Sequence, residues 1–109
     1  MSLTVLKKAI QERKSISFEY NKEGKVPGQR IGNPHAVFIL RRLDETESTK
    51  VHIVQTEGVT DSVPNFPEFR TFDISELSGV EIIESKTPFP INDKYKPESD
   101  MYKYVIAKV

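Results

Sequence analysis

The chain of 109 residues carries 16 Lys and Arg against 16 Asp and Glu, a formal net charge of zero, with 37% hydrophobic residues and no cysteine. That length fits one domain with its own core, and the composition excludes a disordered tract, disulfides, thiolate chemistry and cysteine-based zinc sites. No apolar run approaches the roughly 18 residues of a membrane span, and "MSLTVLKKAI" lacks the h-region and cleavage site of a signal peptide, so a cytoplasmic protein without membrane contact is expected.

In chain order, Leu3, Leu6 and Ile10 recur at helical spacing with Val5 and Ala9 beside them. With Ser2 available as an N-cap and Lys and Arg in the last turn, they predict one short amphipathic helix over Leu3 to Arg13. "SISFEY" then switches to period two, with Ile16, Phe18 and Tyr20 on one face of a half-buried strand. "NKEGKVPGQ" reads as a turn region by its Gly and Pro content. "AVFILRRL" after Pro34 reads as a central strand, "DETEST" as a polar turn and "KVHIVQT" as the next strand, so these two strands should form a hairpin. "EGVTDSVPNFPE" should be a long loop, followed by strands "FRTFDI" and "GVEIIE" around a short turn at Ser75 to Ser78. The tail "YKPESDMYKYVIAKV" either ends in one more strand or starts a helix capped by Ser99 or Asp100. One helix leading into five or six short strands predicts a mainly β fold, a small, strongly bent antiparallel sheet or barrel whose edges are protected by closure or by a covering helix.

The charges are not evenly spread. Up to Leu43 there are nine Lys and Arg against three Glu, and from Asp44 onward seven against thirteen Asp and Glu. Such a dipolar chain either pairs its halves internally or shows a basic face to an anionic ligand. "RIGNPH" puts Arg30, Pro34 and His35 at the mouth of the most apolar strand. Arg70, Phe72 and Ile74 share one face of their strand, so Arg70 belongs near a rim or pocket. There its planar fork can grip a phosphate or carboxylate, or pair internally with Glu68 or Glu76. His35, if it faces the same rim as Arg30 and Arg70, completes a cationic cluster; otherwise it is a histidine bonded to a neighbouring carbonyl. His52 alternates with Val51 and Ile53 and is expected to point to solvent or a partner subunit. Tyr20, Phe38 or Tyr95 could offer a stacking surface beside Arg30, Arg41 and Arg42, or serve as core.

The order "LKKAIQERKSISFEY", then Arg30 before Pro34, then "VHIVQTEG", then "FRTFDISELSGVEI" resembles the WYL domain, an Sm-like barrel found in bacterial regulators. The resemblance covers roughly residues 3 to 90 of a single domain spanning 1 to 109, with 91 to 109 as a C-terminal extension. Tyr20, Arg30, Pro34, Arg70, Phe72 and Ile74 match the family pattern, while Val51, His52 and Ile53 replace the eponymous Trp-Tyr-Leu. The resemblance implies an Sm-type barrel that binds a small anionic or nucleic-acid-derived effector, or single-stranded nucleic acid, on a basic patch. Larger members add a winged-helix DNA-binding domain, for which the single N-terminal helix leaves no room, so a stand-alone sensing module is expected.

Two histidines 17 positions apart, without cysteines or a carboxylate at ligand spacing, are a poor metal signal, and no nucleophile elbow, phosphate loop or dinucleotide fingerprint occurs. Neither an enzyme nor a metal or cofactor is therefore expected. A non-catalytic regulatory module is expected, with an anionic small molecule or a short single-stranded nucleic acid as its partner. Its candidate ligand-binding residues are Arg30, His35, Arg70, Tyr20 and Arg41. The alternatives are a protein interaction or homodimerisation module without a ligand and, behind it, a His35-dependent phosphodiester or nucleotide hydrolase. A neutral chain has no surplus of cations to hold a long duplex.

Overall fold

The computed structural model describes residues 2–60 and 66–109. Helix α1 (Ser2–Glu12) leads into β1 (Ile16–Tyr20), β2 (Gln29–Arg41), β3 (Glu47–Gly58) and β4 (Glu68–Asp73). A 3₁₀ turn (Ile74–Glu76), β5 (Leu77–Ile82), a second 3₁₀ turn (Asp100–Tyr102) and β6 (Val105–Lys108) complete the chain. Every ladder is antiparallel, the strand order is β4-β3-β2-β1-β5, and β6 pairs with β2. The protein is thus mainly β, one N-terminal helix on a six-strand antiparallel sheet. The closed, strongly bent Sm-like barrel is corrected: β4 and β5 bound the sheet, and among the described residues no ladder joins them.

Both faces of the sheet are apolar, and this explains why closure is unnecessary. On one face Leu6, Ala9 and Ile10 of α1 pack on Ile16, Phe18, Val37, Val51, Ile53, Phe72 and Leu77. Burial of each large aliphatic or aromatic side chain there contributes about 1.5–3 kcal/mol before entropy is counted. On the other face Ala36 and Phe38 meet Tyr95 and Tyr102, with Phe69 and Leu40 at the margin. The segment after β5 lies across this second face as a strap, so two covering layers do what barrel closure would have done.

The helix ends as its sequence allows. Lys14 N–H donates to the Ala9 carbonyl at 2.8 Å and Arg13 N–H to the Ile10 carbonyl at 3.2 Å, with Arg13 at φ 51, a Schellman closure. The strap is tied to this corner: Phe89 N–H donates to the Arg13 carbonyl at 2.9 Å, and the Arg13 guanidinium donates to the Phe89 carbonyl.

One edge of β2 serves two partners. β1 pairs along residues 29–32 and β6 along 36–38. The change falls where Pro34 has no N–H to give and where His35 is an extra residue, since Pro34 opposes Ile53 and Ala36 opposes His52. β2 therefore starts earlier than the apolar run and carries "RIGNPH" inside the sheet. The predicted β2–β3 hairpin forms, and the tail holds both alternatives in sequence: a 3₁₀ turn capped by Ser99, then β6. Of the predicted long loop, residues 61–65 lie outside the described ones, and β3 extends through Gly58 into its start. No helix among the described residues is long and apolar enough to cross a membrane.

Candidate functional site

The sequence-predicted residues separate into three places. Tyr20, Arg30 and Arg70 come together at one end of the helix-covered face. Arg30 opposes Phe18 and Arg70 opposes Ile53 in the ladders, so both point to the side of the main core, as the alternation of Arg70 and Phe72 predicts. Arg30 is fully buried: Nη1 donates to Gln55 Oε1 and Nη2 to the Val26 carbonyl, each at 3.4 Å, and its guanidinium lies 5.4 Å from the Tyr20 ring centroid. The Tyr20 ring also meets Phe72 edge to face at 4.8 Å. Arg30 is thus held inside the fold, while the half-buried Tyr20 packs on Arg30 and Phe72 and still reaches the surface. Phe38 and Tyr95, the other stacking candidates, are buried in the second core.

In front of Tyr20 is a cleft of about 450 Å³ lined by Tyr20, Lys22, Lys25, Glu68, Arg70, Thr71 and Phe72. Local backbone chemistry builds its basic wall. Lys25 N–H donates to the Lys22 carbonyl at 3.0 Å with Gly24 at φ 82, the position at which a type II turn requires a left-handed residue. Both lysines therefore stand at the two ends of one tight turn. The Asn21 N–H anchors that turn to the Glu76 carbonyl at 2.7 Å. Opposite, Arg70 Nη2 donates to Thr60 Oγ1 at 2.6 Å and to Glu68 Oε2 at 2.8 Å, so the internal pairing with Glu68 weighed from sequence is present. Among the described residues no carboxylate pairs with Lys22 or Lys25. The sequence reading missed these two lysines, and the signal available was a Lys-x-Gly-Lys turn between paired strands.

His35 departs from the rim expected of it. It is fully buried beneath the strap, among Phe69, Phe89 and Tyr95, with the Phe89 ring stacked on it at 5.1 Å. Nδ1 lies 2.8 Å from the Asn33 carbonyl and Nε2 accepts the Asn92 N–H at 3.0 Å. Those partners require the neutral tautomer with its proton on Nδ1. Burial lowers its pKa, the Asn33 bond opposes that, and the Arg13 charge lowers it further. His52 is corrected too: it points away from Val51 and Ile53, yet into the second core, where Nδ1 lies 2.7 Å from the Tyr102 hydroxyl between Phe38 and Phe69. Burial and the neighbouring His35 bring its pKa down to about 4, and burial with Tyr95 pushes the Tyr102 phenol up to about 12.

Arg41 lies at the far end of the hairpin. It pairs with Glu47 at 3.0 Å and covers the Tyr104 ring at 4.5 Å, both on the surface, where such a pair contributes about 0–1 kcal/mol. The exposed Leu43, Met101 and Tyr104 line a surface cleft together with it.

No family model, curated protein or solved structure matches this chain.

Proposed function

We propose that this protein is a non-catalytic regulatory binding module whose cleft between Tyr20, Lys22, Lys25 and Arg70 takes an anionic, nucleotide-derived ligand or the phosphates of a short single strand. One observation carries the reading: a tight turn presents two lysines, without carboxylate partners among the described residues, toward an arginine already fixed by Glu68 and Thr60. A group held this way loses little freedom on binding, so more of its Coulomb attraction goes into affinity. The Tyr20 ring already packs on the Arg30 guanidinium and on Phe72, which favours gripping phosphates over stacking bases. A binding role fits the histidines better than catalysis, since both are buried and hydrogen-bonded within the fold. A regulatory role in the cytoplasm rests on the resemblance of Tyr20, Arg30, Pro34, Arg70, Phe72 and Ile74 to the WYL pattern alone.

Calorimetric titration with mononucleotides and short oligonucleotides at several salt concentrations tests this. With the two lysines engaged, log K for a single strand is expected to fall with log salt at a slope of about −1.4, and Lys22→Ala/Lys25→Ala should leave almost no salt dependence. Binding by that double variant as tight as by the wild type would reject the site. Under the alternative of a docking module without ligand, which the exposed Leu43 and Tyr104 favour, titrations stay flat and the protein sediments as a dimer that Leu43→Lys dissociates.

A further inference from the structure

The basic cleft contains one group that a site for bare anions would not keep. Glu68 lines it among Lys22, Lys25 and Arg70, with its side chain 34% exposed. Oε2 accepts from Arg70 Nη2 at 2.8 Å, while Oε1 accepts no hydrogen bond among the described residues. Arg70 Nη2 is saturated, since Thr60 Oγ1 at 2.6 Å takes its other hydrogen. An arriving anion therefore meets the ammonium groups of Lys22 and Lys25 first, and a carboxylate oxygen next to them.

We infer that the cleft selects a phosphomonoester bearing a hydroxyl close to the phosphate, a sugar phosphate or ribonucleotide, with the phosphate on Lys22 and Lys25 and the hydroxyl donated to Glu68. The inference rests on the anion-site reading above and adds the ligand's second functional group. Charge agrees: three cations against one carboxylate leave the lining at +2, matched to a phosphomonoester of about −1.5 to −2 at pH 7. Chemistry agrees as well. An ionised carboxylate only accepts hydrogen bonds, so a ligand without a donor leaves Glu68 facing the phosphate as a repelling charge, whereas a hydroxyl satisfies it. Volume agrees, because about 450 Å³ lies within the range of clefts that hold small organic ligands.

The test compares ribose 5-phosphate with ethyl phosphate, the same dianion without hydroxyls, on the wild type and Glu68→Gln. Glutamine keeps the oxygen that Arg70 donates to and removes the charge. The wild type is expected to bind ribose 5-phosphate about tenfold tighter than ethyl phosphate, the size of one charge-assisted hydrogen bond. In Glu68→Gln the ratio should fall below about threefold while ethyl phosphate binds as well as, or better than, before. Equal affinities in the wild type, or a preference that survives Glu68→Gln, would overturn the inference and leave the anion site standing. Failure of the wild type to bind either phosphate would remove both.

Discussion

Lowering the pH from 7 to 4 is expected to remove roughly 3 kcal/mol of folding stability through His52 alone. An unfolded histidine titrates at about 6.5. In the fold, burial between Phe38, Phe69 and Tyr102 holds His52 neutral down to about pH 4. The depressed group makes its contribution in full above pH 6.5. That contribution is lost as the pH falls, because the unfolded chain takes up a proton that the folded one refuses, and the loss levels off near pH 4. His35 acts in the same direction, and its Nε2 can no longer accept the Asn92 N–H once protonated. The two imidazoles would then carry like charges under one strap, so its release is the expected first step of acid unfolding. Urea unfolding at intervals between pH 7 and 4.5 reads this before most carboxylates titrate. A midpoint that falls steadily, with a shallower fall in His52→Phe, is the expected result. A midpoint independent of pH over that window would refute it.

Gly58→Ala is expected to lose more than about 3 kcal/mol, enough to unfold a domain of ordinary stability in part. A β carbon there would lie 2.3 Å from the Gln29 carbonyl oxygen and 2.7 Å from Arg30 Cα, both backbone atoms that cannot swing aside. Gly58 also holds φ 101, outside the range that alanine adopts without strain. The contact is the crossing of β2 and β3 opposite Arg30, so the substitution would also push the buried guanidinium off Gln55 and Tyr20. Gly24→Ala is the control. Its φ of 82 is positive too, yet a β carbon there meets nothing within 4 Å, so it should cost only about 1–2 kcal/mol. Equal denaturation midpoints for the two variants would show that the crossing tolerates the added atom.

Element identity was legible because it is periodic. Leu3, Leu6 and Ile10 mark a helix that forms, and Ile16, Phe18 and Tyr20 mark the face of β1 that is buried against it. The placing of Arg70 with Phe72 on one face followed from the same alternation and brought Arg70 to the cleft. What failed was long-range. Whether a sheet closes depends on what covers its second face, and the strap that does so, with Phe89, Asn92 and Tyr95, shows no period by which to be recognised. His35 looked like a rim residue because a bulge cannot be read from one strand; it exists only relative to the register of β3. The "RIGNPH" stretch is polar because Arg30 and His35 each find buried hydrogen-bond partners at that break, one on either side of the sheet. Lys22 and Lys25 read in the sequence only as part of a turn, because what places them in a cleft is β4 lying across from them.

We propose that the Lys22–Lys25 turn and β4 act together as one anion site. Backbone amide shifts followed by heteronuclear NMR during titration with a ribonucleoside monophosphate test it most directly. Saturable shifts concentrated at residues 20–25 and 68–72, absent in Lys22→Ala/Lys25→Ala, are the expected result. Shifts centred instead on Asn33, Thr56 and Asn92, which line a separate cleft of about 460 Å³, or on Arg41 and Tyr104, would contradict it.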